Sequence, residues 1–239
     1  RWLCQREGSW ISERRHAPAL RSGTSSARTT ALADLRNLAL DRLLLHPVEL
    51  ICVIDGGLII SVEQPLRLMH QLLAHPRFAM VAGSAMQNVP DVVDGGPNSH
   101  YDSWALRDLN GRCGITFAAI PVRDAGERQD WSQGRCLAVA SAFGGMAAVR
   151  RSAVDASGAR WNGHVGCEHW PFCDTLRQWG SVVVDPKVQP FIHHPHPPQW
   201  RDDYKTRILQ ELESNNQQRI STERSFTSQS KIGPTERVQ

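Results

Sequence analysis

The chain has 239 residues and a formal net charge of +3, with 41% hydrophobic and 21% charged residues. That length suits one large α/β domain or two small ones, and the composition is ordinary for a globular protein. The mild, scattered positive charge lacks the stripe of Lys and Arg that nucleic-acid binders concentrate, and no apolar run approaches the roughly 20 residues of a membrane helix.

Residues 1 to 27 read as polar and irregular, with WLC as the end of a strand and REGSW as a turn. In RTTALADLRNLALDRLLL, Leu32, Leu35, Ala39 and Leu43 recur at three- and four-residue spacing, which predicts an amphipathic helix that His46 and Pro47 stop. LICVI is then a short apolar run with β-branched residues, the pattern of a buried strand. Pro65 suits the first turn of a helix over PLRLMHQLLA, and FAMVAGSAM reads as the next strand. NVPDVVDGGPN is a loop rich in turn formers.

HYDSWALRDLNGR predicts a short helix ended by Gly111, and LAVASAFGGMAAV an apolar strand broken at Gly144 and Gly145. GHVGCEHWPFCDTLRQWG is partly helical, SVVVDPKVQPFIHH a strand ending in histidines, and DDYKTRILQELES a last helix. Residues 1–213 thus form one domain, and the tail over 214–239, without apolar periodicity, reads as disordered. Helix alternating with buried strand predicts an α/β fold, a mostly parallel sheet flanked by helices. There is no initiator Met and no signal peptide, so the chain reads as a fragment. The six cysteines show no disulfide framework, and free thiols favour a reducing compartment.

In an open α/β sheet, ligands sit outside the carboxyl ends of the strands. Asp55, Gly144–Gly145 and His193–His194 all fall at such ends and are expected to converge. Asp55 is equally consistent with a carboxylate capping a Gly turn and with a ligand to Mg²⁺ or Mn²⁺. Gly56 and Gly57 permit positive φ and close approach of a ligand. The histidine run IHHPHPP is by default a Pro-stiffened loop, but His193 or His194 could complete an Asp55-centred metal site.

A competing metal is zinc, on Cys167, His169, Cys173 and a residue of the His193–His196 cluster, although the paired spacing of structural zinc sites is lacking. In that case Glu168, at the start of a helix, is not the active group; otherwise it faces the cleft. Gly144–Gly145 is either a tight turn against another backbone or an edge that admits a sugar ring or diphosphate. Asp102, beside two aromatics, is either a helix-terminal acid or part of a sugar pocket.

The order EGS, R…LADLRN, VIDGG, YDSWALRD, SAFGGMAAVRRSAV, WNGHVGCEHWPFCDTLRQWG and VVVDPKVQPFIHH resembles nucleotide-sugar glycosyltransferases of the GT-A (Rossmann-like) fold. It is most similar to the cryptococcal mannosyltransferase-type capsule enzymes and related fungal mannosyltransferases. The resemblance spans about residues 6 to 195. It implies a hexosyltransferase of polysaccharide biosynthesis, a nucleotide-sugar donor, a glycan or glycoconjugate acceptor, and a Mn²⁺ or Mg²⁺ cofactor. It also implies that Arg28, Arg36 and Asn37 lie near the diphosphate, and that Asp55 matches the first acid of Asp-x-Asp. Tyr101 and Asp102 would border the sugar pocket, with Gly144 and Gly145 beneath the donor sugar. Glu168, with Asp102 as the second choice, would orient or deprotonate the acceptor hydroxyl, and His193 or His194 would meet the metal.

Two departures stand out: Gly57 replaces the second acid, and the chain lacks the first strand of the nucleotide-binding half. They support a second reading, a binding module of the same fold with impaired chemistry. Bacterial relatives would work at the cytoplasmic face of the membrane and fungal ones in the Golgi lumen, with any membrane association running through segments outside this chain.

Overall fold

A computed structural model describes residues 2–6, 9–13, 26–88, 98–115, 118–164 and 166–192. The chain divides into a unit Arg1–His194, which carries every described element, and a unit Pro195–Gln239, which lies outside the described residues. The expected last helix and polar tail therefore lie outside them too, as do the loop over 89–97 and His193, His194 and His196.

In chain order the elements are β1 (Trp2–Arg6), β2 (Ser9–Glu13), α1 (Ser26–Leu44), β3 (Leu50–Ile54), β4 (Leu58–Ile59), α2 (Glu63–Ala74), β5 (Phe78–Ala82), β6 (Met86–Asn88), β7 (Asn98–His100), α3 (Ala125–Ser132), β8 (Leu137–Ala138), β9 (Met146–Arg150), α4 (Arg151–Ser157), α5 (His169–Leu176), β10 (Ser181–Val184) and β11 (Phe191–Ile192). Where an irregular N-terminus was expected, β1 and β2 pair as an antiparallel hairpin.

The fold is α/β, built on a five-stranded sheet ordered β3-β9-β5-β10-β8. It is mixed rather than mostly parallel. Only β5 and β10 pair in parallel, while β9 lies antiparallel between β3 and β5, and β8 antiparallel beside β10. The physical reason is that β9 enters from the opposite end and separates two strands that a helical crossover, α2, has aligned. Strands β3, β5 and β10 consequently share one direction, and their carboxyl ends form one edge. A second sheet, β4-β11-β6-β7, stands beyond that edge.

Side-chain alternation along the strands builds two cores, one on each face. Ala147, Val149, Val182 and Val184 join Leu40 of α1, Val154 of α4 and Leu176 of α5. Met146, Ala148, Val81 and Val183 pack with Leu68 and Leu72 of α2 on the other face. Helices thus flank the sheet on both sides, as the sequence predicts.

Two elements differ from expectation. The segment 100–112 is not helical: Arg107 leaves to bridge Ser141, with its N–H donating to the Ser141 carbonyl at 2.8 Å. Asp108 explains the break, because its carboxylate accepts from the amides of Asn110 and Arg112, both at 2.9 Å, offering the backbone an alternative to helix. Helix α3 was not foreseen, although Asp124 caps it by accepting from the amides of Gly126 (2.8 Å) and Glu127 (3.0 Å). Asp124 followed three residues later by Glu127 was the available signal. Among the described residues no helix is long and apolar enough to cross a membrane.

Candidate functional site

The site forms at the carboxyl end of β3, where buried polar groups from four separate segments meet. Its hub is Arg36, on the inward face of α1 together with Thr29, Ala33 and Leu40. Arg36 is 5% exposed, and one guanidinium nitrogen, Nη2, donates to Oδ1 of Asp55 at 2.8 Å. The other, Nη1, donates to Oε1 of Glu168, the residue that precedes α5. The guanidinium also lies over the Phe143 ring, 5.0 Å from its centroid, in a cation–π contact. A planar fork that serves two carboxylates at once is a task for Arg rather than Lys. Burial works against its charge, yet Asp55 and Glu168 together hold the guanidinium above its ordinary pKa.

Asp55 sits where β3 ends, its side chain about one-third exposed. The backbone seats it: its N–H donates to the Gly145 carbonyl at 2.8 Å. Burial raises the Asp55 carboxyl above the ordinary range, and the Arg36 charge offsets this only in part. Beside it, a Cβ on Gly56 or Gly57 would meet nothing within 4 Å, so this lip of the site is open.

Asp102 and Tyr101 come from the loop after β7. Asp102 is pushed up to about 7, first by burial and then by the negative charges of Asp55 and Glu168. Tyr101 rises well above its usual range, again by burial first and then by Asp102 and Asp55. Arg28, in the first turn of α1, is close enough for its charge to act on both Asp55 and Tyr101. The cluster therefore gathers two cations, three carboxyls and a phenol. One carboxyl titrates near neutrality, a property of groups that handle protons.

The structure thus brings together Arg28, Arg36, Asp55, Gly56, Tyr101, Asp102 and Glu168 of the residues expected at the site, with Gly145 reaching it through its carbonyl. Others are occupied differently. The Asn37 amide clamps the backbone of Trp161, donating to its carbonyl and accepting from its N–H, both at 2.9 Å. Gly144 and Gly145 have φ of 56° and 76°. A Cβ on Gly144 would lie 2.0 Å from the Gly83 carbonyl oxygen, so this glycine answers to a backbone crossing. His193 and His194 lie outside the described residues.

The zinc arrangement does not assemble from the residues described. The Cys173 thiol points to the Ala142 carbonyl (3.7 Å) and the Met80 sulfur (3.9 Å), and burial raises it to about 11. His169 Nδ1 accepts from the Trp161 indole at 3.2 Å. Among the described residues no three His, Cys, Asp or Glu side chains are placed to hold a metal ion. The five cysteines with described side chains are all free.

Sequence reasoning missed Phe143 and Trp161 as site neighbours. Phe143 stacks on His169 at 4.1 Å between centroids, and Trp161 stacks on Phe172 at 4.0 Å. Phe143 was marked only by its place before the Gly144–Gly145 pair, and Trp161, between elements, by nothing.

The family model described as Cryptococcal mannosyltransferase 1 matches residues 5–207 of the chain. No curated protein matches it.

Proposed function

The chain belongs to the family described as cryptococcal mannosyltransferase 1, and on that premise we propose that it transfers a sugar, mannose first among candidates, from a nucleotide-diphosphate donor to a hydroxyl of a glycan. The observation that carries this reading is Arg36, a buried guanidinium shared by Asp55 and Glu168 beside a carboxyl, Asp102, poised near neutrality. The finer fold, a GT-A-like nucleotide-sugar domain, belongs to the same proposal. It is supported by the site's place at the carboxyl end of β3, one of three like-directed strands of the sheet.

In this reading Arg36 and Arg28 face the donor diphosphate, whose departing charge a fixed guanidinium stabilises. Of the two carboxyls that could accept the acceptor proton, the surroundings favour Asp102. Its affinity for a proton matches neutral pH, while Glu168 is committed to Arg36. Tyr101 and Asp102 border the sugar, and the open Gly56–Gly57 lip gives it entry.

A divalent cation finds one hard oxygen donor here, the half-open Asp55 carboxylate. This suits Mg²⁺ or Mn²⁺, ions held by one or two carboxylates together with waters and phosphate oxygens. Such an ion supplies Lewis-acid stabilisation of the leaving diphosphate.

The test is nucleotide release from GDP- and UDP-sugars with Mn²⁺, comparing the wild type with Asp55→Ala and Asp102→Asn. Turnover that collapses in both variants is expected. Undiminished turnover in both overturns the assignment, and calorimetry without metal-dependent heat favours a binding module that has lost its chemistry.

A further inference from the structure

Beside Glu168 lies a polar pair that the proposed chemistry does not use. His169 is 3% exposed, sandwiched by Phe143 in a near-parallel stack (4.1 Å, 16°) and met edge-on by Trp161. An indole N–H can only donate. Since Trp161 Nε1 lies 3.2 Å from His169 Nδ1, Nδ1 must carry the lone pair, and a neutral ring then bears its proton on Nε2. Nε2 is 3.6 Å from Oε1 of Glu168, the same oxygen that Arg36 meets.

We propose that Trp161 and His169 are positioning residues: the indole fixes the Nε2–H tautomer of His169, whose N–H then faces Oε1 of Glu168 in a polar contact at 3.6 Å, longer than a hydrogen bond, and biases that carboxylate toward the position from which it aims Arg36. This rests on the reading in which Arg36 meets the donor diphosphate. Other features agree. Burial and the Arg36 charge drive His169 well below its ordinary pKa, so the ring stays neutral and the tautomer persists across the working pH range. Glu168 makes no side-chain cap to the helix it precedes, leaving its carboxylate to Arg36 and His169. Asn37 clamps the Trp161 backbone from the same helix that carries Arg36, so the two ends of the chain Trp161–His169–Glu168–Arg36 share one support.

Two measurements test the pair. Nitrogen-15 NMR of the imidazoles should show His169 with an unprotonated Nδ1 and a protonated Nε2, unchanged from pH 5 to 8, and Trp161→Phe should mix the tautomers. In the donor assay, His169→Phe keeps the stack and removes both ring nitrogens. It should lower kcat by about three- to tenfold, since a polar contact at 3.6 Å is worth less than a hydrogen bond to a charged group. His169→Gln, which retains an amide N–H near the Nε2 position, should recover most of that loss.

A protonated Nδ1 in the wild type overturns the proposal. So does a His169→Phe protein with wild-type kcat, or one whose loss His169→Gln fails to reduce. If the wild type releases nucleotide from no donor, the functional reading falls. The tautomer measurement then decides the pair alone, and its unchanged spectrum in Trp161→Phe would overturn it.

Discussion

The backbone N–H of Asp55 donates to the carbonyl of Gly145 at 2.8 Å, so the tip of β3 is pinned by the turn that opens β9. Because β9 runs antiparallel to β3, the beginning of one strand meets the end of the other, and Asp55 is held by a glycine about ninety positions away in the chain. Gly144 completes the arrangement by crossing the Gly83 backbone too closely for any Cβ. Rigidity at Asp55 thus comes from main chain, which leaves its carboxylate for Arg36.

That relationship makes Gly144→Ala costly. The new methyl would lie 2.0 Å from the Gly83 oxygen, at a φ of 56° that L residues rarely adopt. A loss above about 3 kcal/mol in urea unfolding is expected, at the severe end of single substitutions. Gly56→Ala, with nothing within 4 Å of the new atom, should stay within about 0.5 kcal/mol of wild type. Similar stabilities for the two would show that the crossing is looser than these distances require.

Arg36→Met should destabilise the protein by about 3–5 kcal/mol at pH 7, because two carboxylates then face one another unpaired in a largely buried site. Burial already raises the Asp55 carboxyl, so lowering the pH protonates it and the deficit should shrink by pH 4. A deficit independent of pH would mean that the loss is one of packing. Arg36→Lys should recover little, since a single ammonium does not reproduce the fork that reaches both acids.

Much of this was legible in the sequence, and α1 shows where legibility stopped. Its existence followed from apolar spacing, yet the face that is buried carries Thr29, Ala33, Arg36 and Leu40, while Leu32, Leu35, Ala39 and Leu43 are only half-buried. Periodicity assumes that the inward residues are apolar; here the inward stripe includes a charge because its partners, Asp55 and Glu168, are buried with it. The direction of β9 was hidden for a different reason. A continuous apolar strand reads the same whether it runs parallel or antiparallel, and only pairing with β3 and β5 settles it. Asp55 was legible as an acid at the end of a strand and Glu168 as an acid at the start of a helix, whereas Tyr101 and Asp102 were placed beside them only by the resemblance, because the helix read over 100–112 does not form. Trp161, between elements, carried no such mark.

Asp102 should leave a signature in both stability and rate. Its folded pKa of about 7 lies above the ordinary carboxyl value of 3.8, so folding favours its protonated form. As pH rises from about 4 to about 7 the unfolded chain releases this proton while the folded one keeps it, and stability falls across that window. Asp102→Asn should remove this downward limb. If Asp102 accepts the acceptor proton, the wild-type kcat should rise with pH through an inflection near 7 that Asp102→Asn abolishes. An unchanged inflection in the variant would assign the proton to another group.

His100 gives the opposite sign. Burial depresses it from 6.5 to about 4, where it accepts or donates a 3.0 Å hydrogen bond with Ser84 and meets Trp131 edge-on. The depressed value means full stability above pH 6.5 and a loss as pH falls from 6.5 through 4, on the order of 3 kcal/mol in all. Urea midpoints compared at pH 7 and pH 4.5 should show this acid limb in the wild type and a weaker one in His100→Gln. Parallel curves for the two proteins would remove His100 as the cause.

Gly57 is the sharpest test of the metal proposal, because it stands where the Asp-x-Asp of the proposed GT-A reading would place a second acid. A Cβ at this position would meet nothing within 4 Å, so an aspartate side chain has room there. The backbone is less accommodating: φ is 90°, which a non-glycine residue adopts only with strain on the order of 1–3 kcal/mol. Gly57→Asp should therefore lose stability without metal and recover part of it when Mn²⁺ is added, since a ligand that binds only the folded state stabilises it by mass action. Calorimetry should show Mn²⁺ binding at least about tenfold tighter than in the wild type, a gain of roughly 1.4 kcal/mol from the added carboxylate. Gly57→Asn carries the same strain without the charge and should gain no affinity. If Gly57→Asp binds Mn²⁺ no better than Gly57→Asn, the Asp55 carboxylate serves Arg36 alone, and the cation that faces the donor is the guanidinium.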